Sequence, residues 1–365
     1  MNILHIYKDY YPVVGGMENH IRILAEGAVK RGLEVTVLVT SGTHSTEIQS
    51  MNGVTIIKAG RLVTMASTPL SSALFMWVRR LKPDITHLHF PYPWGETAHL
   101  MLGHSQRTVI TYQSDIVRQK SLLKLYRPFL RRILARADRI IATSPQYVQS
   151  SPHLSQVADK CVVIPMGIDL AHFREARREE VKDLRNKYNP PLLLFVGILR
   201  YYKGLEYLIT AMRHVNARLL VVGEGPMAEE WQDLTDKLGL ADKVFFVGQH
   251  VEDLPAYYQA CDLFVLPSSH RSEAFGLVQV EAMACGKPVV CTELGTGTSY
   301  VNVDGETGLV VPARDASALT EAINRLLSDE ALRTEMGEKG RQRAVQEFSH
   351  ETMIHRVVSL YESLL

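Results

Sequence analysis

The chain has little cysteine, and its cysteines lie far apart. Among 365 residues there are only four, Cys161, Cys261, Cys285 and Cys291, and none forms a C-x-x-C pair. This argues against a disulfide framework or a zinc site. No apolar run approaches the roughly 20 residues needed to span a bilayer, and the first residues lack the basic start and long apolar core of a signal peptide. We therefore expect a cytoplasmic protein.

Several charge patterns and motifs are also absent. A net charge of +1 argues against a dedicated nucleic-acid binder, which carries a basic excess. The lack of G-x-G-x-x-G counts against a nicotinamide-dependent dehydrogenase, and no histidines have the spacing of H-E-x-x-H. His87 and His89 alternate along one predicted strand, where a structural role is favoured over a catalytic one.

Short apolar runs alternate with amphipathic helical stretches along almost the whole chain, a pattern typical of parallel sheets covered on both faces. The predicted strands are 3–7, 34–40, 54–58, 84–90, 108–113, 139–143 and 161–164, then 192–198, 218–222, 244–247, 263–266, 288–291 and 308–311. A charged stretch poor in core residues separates the two sets. The fold class is therefore α/β, with a Rossmann-like domain at 1–168, a second at 169–345, and a C-terminal helix, 346–365, that returns to the first.

Ligands of open parallel sheets bind at the carboxyl ends of the strands, so the strand-to-helix loops are the first place to search. The loop after the first strand contains Gly15 and Gly16, which could let the backbone approach a phosphate or sugar. A glycine turn that only starts a helix explains the same pattern equally well.

A second such loop, 197–204, begins with Gly197 and carries Arg200 and Lys203. Two cations at this position suit a diphosphate leaving group, whose negative charge grows as the bond to a sugar breaks. Two solvated surface cations are the alternative.

The strongest local signal is the segment 272–290, in which Glu273 and Glu281 are separated by seven residues. Eight residues of helix advance about 800°, so Glu281 lies on the same face as the start of the helix. One carboxylate can meet a sugar and the other a ribose, while the amides of Phe275, Gly276 and Leu277 point at phosphate. The alternative is a helix with one buried and one exposed glutamate.

The E-x7-E segment, the R-Y-Y-K-G of residues 200–204 and the N-terminal Gly-Gly loop together resemble the retaining glycosyltransferases of the GT-B fold, the large group 1 family. The resemblance spans nearly the whole chain. It implies two Rossmann-like domains facing across a cleft, a nucleoside-diphosphate sugar as substrate, no cofactor, and catalytic roles for Arg200, Lys203 and Glu273. The family segment that holds the nucleotide base corresponds to 246–254, which places Gln249, His250 and Leu254 on the donor side.

A narrower resemblance involves residues 111–120, 142–152 and 295–300. These are similar to bacterial mannosyl- and rhamnosyltransferases that use GDP-sugars to build O-antigen polysaccharide, so GDP-mannose is the expected donor. The resemblance implies that His20, Gln113 and Asp115 lie on the acceptor and sugar side. Gln113 departs from the family, which has histidine at this position near the donor sugar. An amide hydrogen-bonds but cannot carry the charge of a protonated imidazole.

A metal site is not expected, because the chain has no Asp-x-Asp pair of the kind that glycosyltransferases of the other main fold use to hold a divalent ion. Arg200 and Lys203 could neutralise the diphosphate instead. The predicted function is a metal-independent retaining hexosyltransferase acting on a glycan or lipid-linked acceptor. A sugar-nucleotide epimerase or phosphorylase of the same architecture, or a nucleotide-sugar-binding protein without activity, is the alternative.

The segment 118–139 is rich in arginine and lysine, with a single acid, Asp138, and with interleaved leucines. A basic amphipathic helix can lie on an anionic membrane surface, which would suit a lipid-linked acceptor at the inner face of the plasma membrane. A solvated basic face on an ordinary packed helix is an equally good interpretation.

Overall fold

The computed structural model describes residues 1–13, 15–65, 68–115, 120–250 and 253–365, with backbone alone for 120–125. The chain divides into two compact units, one made of Met1–Gly167 with His350–Leu365 and the other of Ile168–Ser349. The first boundary therefore lies at Gly167 rather than 168, and the C-terminal segment joins the first unit at His350 rather than 346. The two ends of the second unit are hydrogen-bonded to each other: the amide of Ile168 donates to the carbonyl of Phe348 over 2.9 Å.

The first unit is built on an eight-stranded sheet with the order β10-β9-β8-β7-β1-β2-β4-β3 and on a separate β5-β6 hairpin. Its strands are β1 (Asn2–Ile6), β2 (Glu34–Thr40), β3 (Glu47–Met51), β4 (Val54–Ala59), β5 (Val63–Met65), β6 (Thr68–Leu70), β7 (Ile85–Phe90), β8 (Arg107–Tyr112), β9 (Arg139–Ala142) and β10 (Cys161–Val163). Within the eight-stranded sheet the pairing is parallel except at the edge, where β3 runs antiparallel to β4, and the two strands of the β5-β6 hairpin are antiparallel.

In the described part of this unit, five α-helices connect the strands: α1 (Gly16–Val29), α2 (Ser72–Arg80), α3 (Pro93–Leu102), α4 (Lys120–Arg136) and α5 (Pro145–Ser150). Ser71 and Ser144 cap α2 and α5, since each side chain accepts a hydrogen bond from an amide of the first turn. All six residues of the central strand β7 are buried, as expected of a parallel strand covered on both faces.

The second unit has one fully parallel six-stranded sheet with the order β13-β12-β11-β14-β15-β16. Its strands are β11 (Leu192–Val196), β12 (Arg218–Val222), β13 (Val244–Gly248), β14 (Leu263–Leu266), β15 (Val289–Glu293) and β16 (Gly308–Pro312). Counted within the unit, this is the 3-2-1-4-5-6 order of the classical doubly wound fold. Its helices are α6 (Arg178–Tyr188), α7 (Leu205–Ala211), α8 (Ala228–Lys237), α9 (Leu254–Ala260), α10 (Leu277–Ala284), α11 (Thr298–Val301), α12 (Ala316–Ser328) and α13 (Glu330–Glu347).

The last helix, α14 (His350–Glu362), belongs to the first unit and packs against α1. Gly27 of α1 makes this close approach possible, because a Cβ atom there would lie 2.4 Å from the side chain of Ile354. Tyr361, fully buried, is hydrogen-bonded to His87 of β7 at 2.5 Å. The C-terminal helix is thus held to its sheet by both packing and a buried polar contact.

The predicted pair of α/β units is confirmed, and every predicted strand has a counterpart within two residues. Strand β3 and the β5-β6 hairpin were not predicted. Their residues are mostly exposed, so they lack the apolar pattern that marks a buried strand. The stretch after Gly167 was expected to be poor in core residues, yet Phe173 is buried there and its ring lies edge-on to Tyr258.

Candidate active site

The topology of the second unit indicates where a ligand would bind. Strands β11 and β14 are neighbours in the sheet, but their connections run to opposite sides, which makes the gap between them a switch point. Crevices at such points, outside the carboxyl ends of the strands, are the usual ligand sites of open α/β sheets. The loop after β11 contains Arg200 and Lys203, and the loop after β14 leads to Glu273.

These two loops are joined by a buried ion pair. The Nζ atom of Lys203 lies 2.7 Å from Oε2 of Glu273, and each residue is only 8% exposed. Burial lowers the pKa of Lys203, but the charge and hydrogen bond of Glu273 outweigh this effect, so that the pKa is raised and the ammonium persists. A buried cation therefore sits at the switch point and is held in place by one carboxylate.

The backbone brings the loops close enough for this contact. Gly204 has a left-handed conformation (φ 63°), and a Cβ atom there would lie 2.2 Å from the carbonyl oxygen of Pro267. Any larger residue would therefore push the Lys203 loop away from the loop after β14. The predicted residue Gly197 begins the cationic loop, and the aliphatic end of Lys203 packs over its Cα, where a Cβ would come within 3.2 Å.

Two buried hydroxyl groups orient Glu273. Ser268 Oγ donates to the same carboxylate oxygen, Oε2, over 3.1 Å. Thr296 Oγ1 donates to the carbonyl of Glu273 over 2.8 Å. Because Lys203 and Ser268 share Oε2, the other oxygen of Glu273 has no hydrogen bond among the residues that the structure describes. That oxygen is left for a ligand.

The loop after Glu273 ends at the N-terminus of α10. Gly276 precedes the helix in a left-handed conformation (φ 78°), and Leu277 is the first helical residue. Within the described part of the chain, the amides of Phe275 and Gly276 donate to no backbone carbonyl. Unpaired amides at a helix N-terminus favour an anion, which is the role predicted for this segment. The ring of Phe275 is buried, so its contribution would come from the backbone alone.

Glu281 is the fifth residue of α10, a little over one turn from its start. Its Oε2 accepts a 2.6 Å hydrogen bond from the phenol of Tyr258. Burial raises the pKa of Glu281, and the Tyr258 hydrogen bond and the charge of Lys203 partly oppose this. The electrostatic interaction with Lys203 shows that both glutamates of the E-x7-E segment lie near the same buried cation.

The two predicted catalytic cations have different environments. Arg200 is exposed, precedes the short 3-10 turn Tyr201–Lys203, and forms no hydrogen bond or ion pair through its side chain among the described residues. Lys203 is buried and paired. The structure thus brings Lys203, Glu273 and Glu281 together and leaves Arg200 at the surface of the same loop.

The predicted base-binding segment, 246–254, begins within β13 and continues beyond its end. Gln249 is exposed, His250 lies within 2.6 Å of the carbonyl oxygen of Val247 through Nε2, and Leu254 begins α9. The intervening residues 251 and 252 lie outside the described part of the chain. His250 also packs against Tyr257, with ring centroids 5.1 Å apart.

In the first unit, the predicted Gly-Gly loop follows β1. Gly15 has extended backbone and caps α1, which begins at Gly16. A Cβ on Gly15 would overlap the flexible carboxylate of Glu18, whereas a Cβ on Gly16 would meet no atom within 4 Å. Packing within the described chain therefore gives no reason for glycine at 16, and open space remains above it.

The three residues predicted on the acceptor side are all in the first unit. His20 is buried in α1, and burial and then nearby His350 lower its pKa to about 4. Gln113 follows β8, and its buried Nε2 has no hydrogen-bond partner among the described residues. Asp115 accepts hydrogen bonds of 2.8 Å from both Tyr112 and Ser151, so its carboxylate anchors the loop.

One group of imidazoles in the described chain lies close enough to share an ion. His5, His87 and His89 are fully buried, with nitrogens within 4.8 Å of one another. His5 and His89 are hydrogen-bonded to each other at 2.9 Å, and His87 bonds to Tyr361 and to Thr111, at 2.5 and 2.6 Å. Each imidazole thus already has a protein partner, as in a structural histidine cluster. Burial lowers the pKa of all three, so they are neutral at pH 7.

Sequence reasoning missed the hydroxyl residues that hold the two glutamates. Ser268 is the second residue after β14, in the same loop as Glu273, and its position just beyond the end of a buried strand could have indicated it. Tyr258 gave no signal, because it lies on a different helix, 23 residues from its partner Glu281.

Two family models match the chain. The model described as Glycosyltransferase Family 4 matches residues 14–172, and the one described as Glycosyl transferases group 1 matches residues 176–343. The O-antigen chain mannosyltransferase C of Escherichia coli is 38% identical over 368 residues, covering 100% of this chain and 99% of the relative. The D-rhamnosyltransferase WbpZ of Pseudomonas aeruginosa is also 38% identical, over 96% of this chain and 92% of that protein.

Solved structures with the GT-B fold are similar over the whole chain. The sucrose-phosphate synthase of Thermosynechococcus elongatus aligns with a TM-score of 0.80 and 27% identity, covering 100% of this chain and 98% of that one. HepE of Anabaena, solved in complex with UDP, aligns with a TM-score of 0.78 at 20% identity, covering 100% of both chains. The second likeness bears on the fold alone.

Proposed function

Since this chain belongs to the glycosyltransferases of group 1 and family 4, we propose that it transfers a hexose from a nucleoside-diphosphate sugar to a glycan or lipid-linked acceptor, with retention and without a metal ion. The observation that carries the proposal is the buried Lys203–Glu273 pair at the switch point of the second unit. A preorganised cation there would stabilise the charge that develops on the departing diphosphate.

Each residue of the site has a role in this proposal. Lys203 and Arg200 neutralise the diphosphate, and the free amides of Phe275 and Gly276 bind its oxygens. Glu273 holds Lys203 and offers its second oxygen to a sugar hydroxyl. Glu281 accepts hydrogen bonds from the ribose hydroxyl groups. His20, Gln113 and Asp115 are proposed to line the sugar and acceptor side of the first unit.

GDP-mannose is the proposed donor. The two relatives that are 38% identical are named as a mannosyltransferase and a rhamnosyltransferase, the first of them for the O-antigen chain. Hydrolysis of GDP-, UDP-, ADP- and dTDP-sugars by the purified protein tests this choice. GDP-mannose should be hydrolysed fastest, because a transferase loses some donor to water even without acceptor. No hydrolysis of any donor would favour a binding protein without activity.

Metal independence follows from the same cations. If Lys203, Arg200 and the helix amides hold the diphosphate, transfer should continue in excess EDTA at an unchanged rate. Loss of most activity in EDTA, with recovery on adding Mg²⁺ or Mn²⁺, would contradict this part of the proposal.

Retention is supported by the absence of a suitable base at one predicted position. Gln113 carries an amide, which cannot take a proton from an acceptor hydroxyl as an inverting base must. The oxygen of the departing diphosphate can take it, and it lies on the face of the sugar that the diphosphate leaves. The acceptor then attacks from that face. NMR of the product formed from GDP-α-mannose should show an α-linkage, and a β-linkage would refute retention.

The basic segment 118–139 is proposed to contact an anionic membrane. Arg118 lies outside the described residues, but Arg127, Arg131 and Arg132 of α4 are exposed. The apolar face of the helix is buried within the unit at Leu130, Ile133 and Leu134. The contact would therefore be electrostatic, with the helix packed on its own domain. None of the described helices has the length and apolar composition to cross a bilayer.

A further inference from the structure

Tyr258 links two helices of the second unit through a single hydrogen bond. It lies on α9, before β14, whereas Glu281 lies on α10, after β14. The phenol oxygen of Tyr258 is 2.6 Å from Oε2 of Glu281, a short distance that is typical of a hydrogen bond to a carboxylate. The contact thus connects a residue outside the E-x7-E segment to its second glutamate.

The ring of Tyr258 is held firmly. The residue is fully buried, and its ring lies edge-on to Phe173 and tilted against Phe264, with centroid distances of 5.7 and 5.6 Å. Two aromatic neighbours leave the ring little freedom to rotate, so the direction of the hydroxyl group is set before any ligand arrives. A rigid donor of this kind lowers the entropy lost when its partner binds a ligand.

The direction of the hydrogen bond is also defined. Burial, and then the charge of Glu281, raises the pKa of Tyr258 well above its ordinary value, so the phenol keeps its proton and donates it. Glu281 accepts through Oε2. Its Oε1 has no hydrogen bond within the described chain, and the side chain is only half-buried. One oxygen is therefore occupied by the protein and the other is available.

We propose that Tyr258 is a positioning residue, which orients Glu281 so that Oε1 accepts hydrogen bonds from the ribose hydroxyl groups of the donor nucleotide. The inference rests on the proposed function, in which Glu281 binds the ribose. It adds that the ribose contact depends on a tyrosine from a neighbouring helix, and that removing one oxygen atom from that tyrosine weakens recognition of the ribose.

The test compares a ribonucleotide with an analogue that lacks the ribose hydroxyl groups. Calorimetry gives the Kd of GDP, UDP and ADP for the wild-type protein, and the tightest of the three is then compared with its 2′,3′-dideoxy analogue. The wild-type protein should bind the analogue about 10–100-fold more weakly, the effect of losing a hydrogen bond to a charged group. In Tyr258→Phe this ratio should fall to roughly threefold or less, while the analogue itself binds as tightly as before.

Two controls separate positioning from a general structural effect. Tyr188→Phe removes the hydroxyl of another buried tyrosine in the same unit and should keep the wild-type ratio. In a Glu281→Ala background, Tyr258→Phe should change nothing further, because the residue acts through Glu281. Should Tyr258→Phe fail to fold, Phe173→Leu keeps the hydroxyl but removes one of its two ring neighbours, and it should lower the ratio partway.

The possible results distinguish this inference from the function on which it rests. If the wild-type protein binds none of the three nucleotides, the proposed donor site is wrong and the inference falls with it. If it binds the ribonucleotide and the dideoxy analogue equally, the ribose contact of Glu281 is wrong. The third possible result is that the wild-type protein prefers the ribonucleotide and that Tyr258→Phe, or a folded Phe173→Leu, shows the same preference. In that case the positioning role alone is overturned.

Discussion

At the scale of single residues, the two cations of the 197–204 loop differ in how much their removal should destabilise the fold. Lys203 is buried against Glu273, so its removal leaves a buried carboxylate whose one remaining hydrogen bond, among the described residues, comes from Ser268. Breaking a buried pair in this way typically costs about 3–5 kcal/mol. Arg200 is exposed and has no side-chain partner within the described chain, so its removal should leave the stability unchanged.

This difference makes Arg200 the cleaner test of the diphosphate site. We expect Arg200→Ala to lower kcat by about 10²–10³-fold, the effect of losing one preorganised donor to developing charge, with no change in Tm. Lys203→Ala should lower kcat as much and also lower Tm. Steady-state kinetics and thermal melts measure both effects, and Arg213→Ala, at another exposed arginine of the unit, is the control. Near wild-type kcat/KM in both variants would mean that the diphosphate lies elsewhere.

Also at this scale, the E-x7-E spacing predicted two nearby carboxylates, and the structure has both near Lys203. The spacing did not show how they are held. Helix α10 begins only at Leu277, so Glu273 is a loop residue whose orientation depends on Ser268, Thr296 and Lys203. These partners come from separate loops, and no local pattern in the sequence relates them.

At the scale of elements, α4 has a basic outer side and a buried apolar side. Replacing Arg127, Arg131 and Arg132 with glutamine should weaken binding to vesicles containing phosphatidylglycerol by on the order of 100-fold at low salt, at about 1 kcal/mol per arginine. The difference should shrink in 0.5 M NaCl because salt screens these charges. Vesicle co-sedimentation measures the effect.

The matched control for α4 is a triple neutralisation of exposed basic residues on α6, at Arg178, Lys182 and Lys187. It changes the net charge equally and should leave vesicle binding nearly unchanged. Equal losses from both triple variants would indicate a non-specific charge effect. No binding by the wild-type protein would favour an ordinary solvated helix face.

At the scale of the whole molecule, the first unit contains several histidines that burial keeps neutral, and these make its folding stability depend on pH. Burial lowers the pKa of His5 to about 3 and those of His20 and His99 to about 4, and it also lowers those of His87 and His89. The unfolded chain takes up these protons below about pH 6.5, and the folded chain does not. The contribution of these histidines to the folding stability is therefore fully present above pH 6.5 and is lost as the pH falls towards 4.

Glu96 has the opposite effect. Burial raises its pKa to about 7 against the opposing hydrogen bonds from Tyr126 and the amide of Tyr92. Its contribution is present below the unfolded pKa of about 4.5 and is lost as the pH rises towards 7. Between about pH 4.5 and pH 6.5, acidification removes the contribution of the histidines and restores that of Glu96. The five histidines outweigh the one glutamate. The first unit should be less stable at pH 5.5 than at pH 7.5.

Hydrogen–deuterium exchange of β1 and β7 in urea reports the unfolding of the first unit separately from the second. The free energy of unfolding should fall on acidification, by up to about 1.4 kcal/mol per histidine and pH unit. His20→Gln should reduce the slope of the unfolding free energy against pH by an amount that corresponds to nearly one bound proton. His104→Gln, at an exposed histidine, should leave this slope unchanged. A flat or inverted pH dependence would show that the histidines are protonated in the folded chain.

The sequence alone determined the two α/β units and the sheet strands that run through their cores. A strand buried on both faces of a parallel sheet needs a continuous apolar run, and such a run is a local feature of the sequence. It also determined the E-x7-E segment and its cationic partner loop, whose residue types and spacing are local. Only the tertiary structure decided that Lys203 is buried and Arg200 exposed, that Ser268 and Tyr258 hold the two glutamates, and that β3 closes the sheet edge. These features depend on contacts between segments distant in the chain, where an exposed strand has no apolar signature and a hydrogen-bond partner can come from any neighbouring loop.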